Sequence, residues 1–496
     1  MSFRLRVVRT LDAPLYFLTD SMRASSAENL YTVLIGKNGT GKTRALASVC
    51  EAFTGRKIRR KRSQVAGHWN KHDRASIEFD LDGNTREIQL LEGVWGSYNA
   101  SDEFEPSNTN SGPSKIIAVT VSPFDKFPLD NLQKKRVRFE EEHLDEDLTR
   151  YVYLGQRNYG GQITRRAKVD RLADAVLSSL SAATLGKVRL GEVFDHLGYR
   201  PSITLSYIVR LGSLDRAEIV NLDAGGLIQE KLYEILRINN LYLESSKMPP
   251  AAVLLDRIQR AFLRLESSIG SDGNLELDIP FSEKPAAELN ELIHEARFLR
   301  GLNLIQLDDI LVVKNGVFEG SIDQASSGEQ SLLLAFLGVA TAIKDNALVI
   351  IDEPEIGLHP EWQADFVTLL DTAFKNFSGC HFVLATHSPQ ILSLVGARPC
   401  AVVDMNTHET SDASTYWKRS SDFQLTEVFN APGYRNEYLT REALTALQFI
   451  YSGLTDRPDF LNILKTLNHA FPNLAEDDPV KLLIGGIRTA IAVDKN

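Results

Sequence analysis

The sequence predicts an α/β protein with a mixed sheet, and three observations carry this prediction. An apolar segment, LYTVLI, ends at a glycine-rich loop and is followed by the helical pattern TRALASVCEAF. A second apolar segment, residues 347–351, ends in two carboxylates, Asp352 and Glu353. Further short apolar runs, at residues 116–121 and 381–386, are separated by helical patterns, which is typical of a sheet covered by helices.

Composition limits the class of protein. The chain has 496 residues, of which 43% are hydrophobic and 24% are charged, so a mostly disordered or fibrous chain is excluded. Its net charge of −10 leaves no overall attraction to nucleic acid. Three widely separated cysteines exclude a disulfide framework and suit a reducing compartment. The longest apolar run, residues 332–343, is shorter than the roughly 20 residues that cross a membrane, so a cytoplasmic protein without a membrane partner is expected.

The chain is predicted to contain four segments. Residues 1–130 and 301–410 hold the strands and motifs of the α/β fold, and residues 131–300 form a mainly helical insertion with short strands. Residues 411–496 form a helical C-terminal region.

Two local patterns lie within the first segment. Asp82-Gly83-Asn84 separates two alternating stretches, which predicts a hairpin in an antiparallel part of the sheet. The polar stretch from Gly96 to Ser114 is rich in Gly, Pro and Ser and predicts an exposed loop.

The glycine-rich loop has the pattern G-x-x-x-x-G-K-[ST]. Glycines let successive backbone N–H groups point at phosphate oxygens, and the following helix directs its N-terminus at the same anion. Lys42 is expected to reach the β- and γ-phosphates, and the Thr43 hydroxyl is expected to bind Mg²⁺. The predicted nucleotide-binding residues are Gly36, Lys37, Asn38, Gly39, Thr40, Gly41, Lys42, Thr43 and Arg44.

The two carboxylates at the end of residues 347–351 suggest the other part of this site. A buried strand that ends in two acids is costly unless the acids meet a cation or a substrate. Asp352 suits Mg²⁺, and Glu353 suits the general base for the water that attacks the γ-phosphate. The alternative is a strand end with two surface acids.

A third motif opens the long apolar helix before the acidic strand. Ser327-Gly328-Glu329-Gln330 resembles the signature motif of ABC-type ATPases, usually LSGGQ, with Glu329 in place of the second glycine. His387, in the run THSP, stands where that family has its switch histidine. The run DEPEIGLHP, residues 352–360, resembles the SMC-like and OLD-like branch of the family.

The resemblance implies a P-loop NTPase of the ABC-ATPase head type, with ATP and Mg²⁺ as cofactors. In that family, ATP lies between the phosphate loop of one protomer and the signature of its partner, so a homodimer or higher oligomer is implied. Ser327, Gly328, Glu329 and Gln330 would then act in trans, and His387 would sense the γ-phosphate. The glutamine of the family's Q-loop has two candidates, Gln156 and the strand end at Ser122-Pro123.

The length of the insertion separates branches of the family. Fewer than 200 residues without heptads lie between the two halves, whereas SMC proteins insert long coiled coils. The chain therefore resembles stand-alone ATPases of anti-phage systems, such as the PtuA (Septu, retron-linked Septu) and AriA (PARIS) groups. This resemblance implies control of a separate nuclease of HNH or TOPRIM type. The alternatives are a nucleotide-stabilised scaffold that sequesters a toxic partner and an SMC-like repair or recombination ATPase acting on DNA.

A basic cluster follows the first helix and provides a candidate surface for DNA or RNA. Six of seven consecutive residues are basic in an otherwise acidic protein, so phosphate binding is one interpretation. A solvated loop or a protein-contact patch is the other. The cluster consists of Arg56, Lys57, Arg59, Arg60, Lys61 and Arg62.

Overall fold

The structure is a computed structural model that describes most of the predicted fold. It describes residues 2–10, 13–24, 28–54, 75–91, 94–98, 104–106, 112–122, 124–129, 150–157, 186–210, 251–270, 273–281, 287–315, 318–395 and 398–494. The basic cluster at residues 56–62 lies outside these ranges.

The described strands and helices alternate along much of the chain. The strands are β1 (Phe3–Arg9), β2 (Leu15–Tyr16), β3 (Leu30–Ile35), β4 (Ser76–Leu81), β5 (Asn84–Leu91), β6 (Val94–Tyr98), β7 (Phe104–Pro106), β8 (Ile116–Thr120), β9 (Tyr151–Leu154), β10 (Ser202–Val209), β11 (Leu275–Pro280), β12 (Ile305–Lys314), β13 (Phe318–Ser321), β14 (Leu348–Asp352), β15 (His381–Ala385), β16 (Cys400–Asp404) and β17 (Thr410–Asp412). The helices are α1 (Lys42–Thr54), α2 (Leu190–His196), α3 (Ala251–Arg264), α4 (Ala287–Gly301), α5 (Ser327–Ala342), α6 (Pro360–Phe374), α7 (Pro389–Ser393), α8 (Ser421–Glu427), α9 (Glu437–Tyr451), α10 (Pro458–Ala470) and α11 (Pro479–Asp494).

A central sheet carries the strands that lead into the predicted motifs. Its order is β17-β16-β3-β15-β14-β8-β9, in which the six strands from β16 to β9 are mutually parallel and β17 is antiparallel. Every residue of β3, β8, β14 and β15 is buried, as expected for parallel strands covered on both faces. Because parallel strands end at one edge of the sheet, the motifs that follow them are brought together there.

Helices cover both faces of the central sheet. Val349 and Ile351 of β14 belong to the apolar core that contains α5, whereas Leu348 and Ile350 belong to the core that contains α1. This alternation along one strand is the period of two that a β-strand imposes. The strand is therefore apolar along its whole length because α5 covers one of its faces and α1 covers the other.

A six-stranded antiparallel sheet, of order β2-β1-β4-β5-β6-β7, packs against α1. Leu81 pairs with Asn84, so Asp82 and Gly83 form a two-residue turn in which both residues have positive φ, and the predicted hairpin is confirmed. The stretch from Gly96 to Ser114, predicted as a loop, contains the end of β6 and all of β7, which pairs with it. The loop prediction was wrong there because a short edge strand gains its hydrogen bonds from a neighbour, whatever its composition.

A four-stranded antiparallel sheet, of order β11-β10-β12-β13, joins the insertion to the segment that follows it. Strands β10 and β11 lie in the predicted insertion, whereas β12 and β13 come after residue 300. Strand pairing therefore crosses the predicted boundary. The described part of the insertion combines these strands with the helices α2, α3 and α4.

The region after β17 is helical in its described part, as predicted. Helices α9, α10 and α11 share an apolar core of their own, centred on Leu439, Phe460 and Ile484. Within the described ranges, no helix is both long enough and apolar enough to cross a bilayer.

The observed topology confirms the predicted fold class. The chain has a phosphate-binding loop between a parallel strand and a helix, a neighbouring strand that ends in carboxylates, and an antiparallel sheet on one side. This is the mixed architecture of a P-loop ABC-type ATPase head, here with additional helical regions.

Candidate nucleotide-binding site

Three adjacent strands bring the first half of the candidate site together. The phosphate loop follows β3, the Thr386-His387 turn follows β15, and Asp352 ends β14. The strand that leads to His387 lies between the other two, so all three motifs meet at one edge of the sheet. The sequence predicted this grouping, although 309 residues separate Thr43 from Asp352.

The Lys42 ammonium lies inside the phosphate loop. Its Nζ donates to the Gly36 carbonyl oxygen at 2.9 Å and to the Lys37 carbonyl oxygen at 3.4 Å, and only 5% of the residue is exposed. Burial lowers the pKa of Lys42 to about 8, while nearby carboxylates, Asp352 first among them, act in the opposite direction. A buried cation at the N-terminus of α1 provides strong attraction for a phosphate group.

The remaining loop residues are more exposed than Lys42. Thr40 closes the loop through its hydroxyl, which donates to the Lys37 carbonyl oxygen at 2.9 Å. Lys37, Asn38 and Gly39 are exposed, and so is Arg44 in the first turn of α1. These positions leave the loop backbone open to a ligand.

The two residues predicted to bind Mg²⁺, Asp352 and Thr43, lie in contact with each other. The Thr43 hydroxyl donates to Asp352 Oδ2 at 2.8 Å, and the other carboxylate oxygen, Oδ1, is buried with no hydrogen-bond partner among the described residues. Burial raises the pKa of Asp352 to about 7, opposed by the Thr43 hydrogen bond and reinforced by the charges of Glu353 and Asp125. A carboxylate and a hydroxyl are oxygen ligands that Mg²⁺ prefers, so these residues fit the ion.

Glu353 has an unusual backbone conformation. Its φ is 52°, in the left-handed region that non-glycine residues rarely adopt, and its N–H donates to the Ala385 carbonyl oxygen at 2.8 Å. Such strain costs on the order of 1–3 kcal/mol and is concentrated at functional sites. The side chain is half-buried and lies directly after the Mg²⁺ candidate, and its role as a base stays a prediction.

His387 lies beside the phosphate loop. Its Nδ1 is 3.5 Å from Lys42 Nζ, and burial, together with the charge of Lys42, lowers the pKa of His387 to about 4. The imidazole is therefore neutral near pH 7 and can accept or donate a hydrogen bond. Its role as a sensor of the γ-phosphate stays a prediction.

Glu355 is a structural residue of the site to which the sequence analysis assigned no role. Its carboxylate accepts the Thr386 hydroxyl at 2.8 Å and the backbone N–H of His387, so it fixes the turn that carries the histidine. Burial raises the pKa of Glu355, against the hydrogen bonds that lower it. The only signal in the sequence was a second acid two residues after Glu353.

The Q-loop candidates lie side by side. Gln156 follows β9, and its Nε2 donates at 3.0 Å to the carbonyl oxygen of Val121, which follows β8. The adjacent Arg157 pairs with the buried Asp125, which also accepts the Tyr153 hydroxyl at 2.7 Å. Gln156 therefore lies at the end of β8, next to β14, at the residue directly before Ser122, whereas Pro123 of the second alternative lies outside the described residues.

The signature residues begin α5 on a different surface. Ser327 is exposed, and the buried Gly328 contacts Gly357, since a Cβ added at Gly328 would lie 2.6 Å from the Gly357 carbonyl oxygen. Only glycine permits this approach without displacing backbone. The Gln330 side chain donates to Asp323, within the same surface.

Glu329 caps its own helix. The Ser326 backbone N–H donates to Glu329 Oε2 at 3.0 Å, and the Glu329 backbone N–H donates to Ser326 Oγ at 3.4 Å, which completes a capping box. The Ser326 hydroxyl also donates to Glu329 Oε2, at 2.8 Å. Lys314 pairs with the other carboxylate oxygen. The replacement of the usual glycine by glutamate is thus accommodated by contacts inside the chain.

An open groove of about 590 Å³ lies over the signature. It is lined by residues 326–328 of the signature and residues 357–362 of the turn after β14, and no phosphate-loop residue lines it. In the described part of the chain, the two halves of the candidate site therefore belong to separate surfaces.

The chain is similar to a family of ATPase domains over part of its length. The family described as "AAA domain, putative AbiEii toxin, Type IV TA system" matches residues 228–393, which include the signature, Asp352, Glu353 and His387. The matched range begins in the insertion and does not include the phosphate loop.

Curated relatives and solved structures give further similarities. "Retron Ec83 probable ATPase" of Escherichia coli is 25% identical over 398 residues, which cover 74% of this chain and 66% of that protein, just under two thirds of its length. "Retron Vc95 probable ATPase" of Vibrio cholerae serotype O1 biovar El Tor is 32% identical over 107 residues, 19% of this chain and 20% of that protein. An Smc head domain from Pyrococcus furiosus, solved with the C-terminal domain of ScpA, has a TM-score of 0.33 and 13% identity, covering 83% of this chain and 94% of that one. The chain is thus similar in sequence to proteins named as retron ATPases.

Proposed function

We propose that the chain is an ABC-type ATPase that hydrolyses ATP between two copies of itself. The observation that carries the proposal is that one chain contains both halves of such a site on separate surfaces. Lys42, Asp352 and His387 form one half, whereas the groove over Ser327 and Gly328 contains none of them. Only a second copy can supply the missing half to each nucleotide.

The phosphate-loop half binds the nucleotide. Lys42 and the N–H groups at the start of α1 attract the phosphates, and the buried charge of Lys42 is offset when a phosphate replaces its loop carbonyl partners. Thr43 and Asp352 would hold Mg²⁺, which when bound supplies positive charge to the phosphate oxygens.

Catalysis depends on two side chains at the same edge of the central sheet. Glu353 accepts a proton from the attacking water, and the neutral His387 donates or accepts a hydrogen bond at the γ-phosphate. Glu355 positions His387 by binding its backbone N–H. The water is aligned only when the γ-phosphate is held from both sides.

The signature half would bind the γ-phosphate from the second side. Ser327 is exposed at the start of α5 in one chain and would face the γ-phosphate of the other. Gln330, like Glu329, contributes through its contacts in its own chain.

The biological role we propose is control of a separate nuclease in bacterial anti-phage defence. The similarity to two proteins named as retron ATPases supports a role in a defence system, and the resemblance to stand-alone defence ATPases supports a nuclease of HNH or TOPRIM type as the partner. Binding of DNA or RNA by the basic residues 56–62 remains part of this proposal.

A mixing experiment tests the two-copy site. Lys42→Ala removes the phosphate loop's cation, and Ser327→Arg blocks the signature, so each variant alone is expected to be inactive. A mixed dimer has one interface with an intact loop and an intact signature, and the other with both defects. Partial ATP hydrolysis should therefore return on mixing after subunits exchange, as measured by phosphate release.

Two controls make the result interpretable. Each variant must unfold at the same melting temperature as the parent. A mixture of two Lys42→Ala proteins that carry different affinity tags must give no ATP hydrolysis. A monomeric Ser327→Arg protein that hydrolyses ATP at the parental rate would contradict the two-copy site.

A further inference from the structure

Three side chains converge on Glu329. Lys314, the last residue of β12, pairs with its carboxylate, and the buried Tyr199 lies near the same group, since burial and then the charge of Glu329 raise the pKa of Tyr199. Ser326, the N-cap of the helix, supplies the third contact. The Lys314 ammonium also lies 5.5 Å from the centre of the Tyr199 ring, within range of a cation–π contact.

The backbone holds these side chains in place. Tyr199 and Lys314 form an antiparallel bridge, and hydrogen bonds from Arg200 N–H to the Val313 carbonyl oxygen, at 2.7 Å, and from Asn315 N–H to the Gly198 carbonyl oxygen, at 3.0 Å, flank it. Tyr199 is 1% exposed. The end of the four-stranded sheet is therefore fixed to the N-terminus of α5.

Glu329 presents an electrostatic problem for a signature motif. A carboxylate in the first turn of α5 satisfies the positive end of the helix, but it also repels any phosphate that approaches the same turn. Burial alone would raise the pKa of Glu329, yet the hydrogen bonds from Lys314 and Ser326 and the charge of Lys314 lower it, so the group is ionised. Its charge must be neutralised from within the chain if the turn is to accept an anion.

We propose that Lys314 is a positioning residue that keeps the signature competent for the partner's nucleotide. By pairing with Glu329, it neutralises the carboxylate and holds it inside the capping box, away from the groove. Ser327, exposed at the start of α5, would then face the partner's γ-phosphate. This inference rests on the proposed two-copy ATPase, and it predicts that the defect of a Lys314 variant lies in the signature half.

The location of Lys314 adds a consequence for control. Lys314 ends β12 and Tyr199 precedes β10. Any ligand or partner that displaces the four-stranded sheet would therefore also displace Lys314 from Glu329. The sheet is thereby connected to ATP hydrolysis without touching the nucleotide.

The test uses Lys314→Met in the full chain with Mg²⁺-ATP. Loss of one charge-assisted contact should lower hydrolysis at saturating ATP about tenfold or more, whereas ATP binding to the variant should stay within about twofold of the parent. Lys314→Arg should restore most of the rate, since it keeps the charge. Lys465→Met, at an exposed position of α10, is the matched control and should hydrolyse at the parental rate.

Mixing then assigns the defect to one half of the site. Lys314→Met mixed with Lys42→Ala should regain hydrolysis, because the Lys42→Ala chain has an intact signature. Lys314→Met mixed with Ser327→Arg should stay inactive, because neither chain has one. If Lys314 only stabilised the fold, substituting it would not give this pattern of rescue.

Each other result overturns a stated part of the inference. A parental rate for Lys314→Met, or a defect that Lys42→Ala does not rescue while the Lys42→Ala and Ser327→Arg pair does, would reject the role of Lys314 alone. No rescue in that reference pair would reject the two-copy site itself, and the role of Lys314 with it.

A second variant covers the case in which Lys314→Met does not fold. The double variant Lys314→Met/Glu329→Gln keeps an oxygen for the capping box and removes both charges, so it should hydrolyse ATP at close to the parental rate. A folded double variant whose rate at saturating ATP is tenfold below the parent would reject the proposal that Lys314 acts by neutralising Glu329.

Discussion

The phosphate-loop half and the signature half of the candidate site differ in how their charges are satisfied. The first half contains a buried ammonium, Lys42, bonded to backbone carbonyls, and a buried carboxylate, Asp352, one oxygen of which has no partner among the described residues. The signature motif of the second half contains one carboxylate, Glu329, which Lys314 and Ser326 bind within the chain. The charges of the first half are therefore stabilised further when a ligand binds. The charge of Glu329 in the second half is already paired within the chain, so this half needs only to be brought into contact with the nucleotide.

Because of this difference, substitutions in the two halves should impair different steps, ATP binding in the first half and ATP hydrolysis in the second. Damage to the first half removes attraction for the nucleotide, so affinity falls. Damage to the second half leaves affinity in place and removes only the closed state in which hydrolysis occurs. The following variants test this distinction, from the largest expected effect to the smallest.

Lys42→Ala should abolish ATP hydrolysis and weaken ATP binding. A charge-assisted hydrogen bond contributes about 1.5–3 kcal/mol, which corresponds to roughly ten- to hundredfold in Kd. Titration with a fluorescent ATP analogue and a phosphate-release assay measure both quantities. An unchanged Kd would show that the loop does not hold the phosphates.

Ser327→Arg should abolish hydrolysis to the same extent but keep the Kd for ATP within about twofold. The residue is exposed and remote from the loop's own hydrogen bonds, so the first half is unaltered. The same two assays apply. A tenfold loss of affinity in a variant that melts normally would mean that the two halves are not separate in one chain.

Acid should weaken binding of Mg²⁺-ATP to the first half alone. Asp352 has a pKa of about 7, because of burial first, and it binds Mg²⁺ only when deprotonated. Affinity should therefore be constant well above pH 7 and fall by up to about tenfold per unit below it. Calorimetry with Ser327→Arg isolates this half, and Asp352→Asn should flatten the dependence between pH 6 and 8.

Gly328→Ala should have the smallest effect, a local destabilisation of the second half. The added methyl group would lie 2.6 Å from the Gly357 carbonyl oxygen, and relief of such crowding costs about 1–3 kcal/mol. Hydrolysis should fall while the Kd for ATP is unchanged. Gly485→Ala is the matched control, because no atom lies within 4 Å of its added Cβ.

The first half could be predicted from the sequence because its residues lie at the ends of local patterns. The phosphate loop stands between an apolar strand and a helix, and Asp352 ends five buried residues. Each pattern fixes its own backbone, and the parallel sheet places the patterns at one edge. Only Glu355 went unassigned, since its partners, Thr386 and His387, are distant in sequence.

The second half was predictable as a motif but not as a structure. Nothing near Glu329 indicates that Lys314 neutralises it beside Tyr199, because the bridge between Lys314 and Tyr199 depends on pairing across more than 100 residues. The same reason explains why β12 and β13 were placed apart from β10 and β11. Long-range antiparallel pairing has no signature in either strand alone.

The contacts of Glu355 and Gly357 have a kinetic consequence. In each chain, Glu355 holds the turn that carries His387, and two residues later Gly357 packs on Gly328 of the signature. In the proposed two-copy site, a short stretch of backbone would therefore join the sensor of one nucleotide to the surface that contacts the other. In a closed dimer, hydrolysis at one site should alter the geometry of its twin, so the rate should depend on ATP concentration with a Hill coefficient different from one.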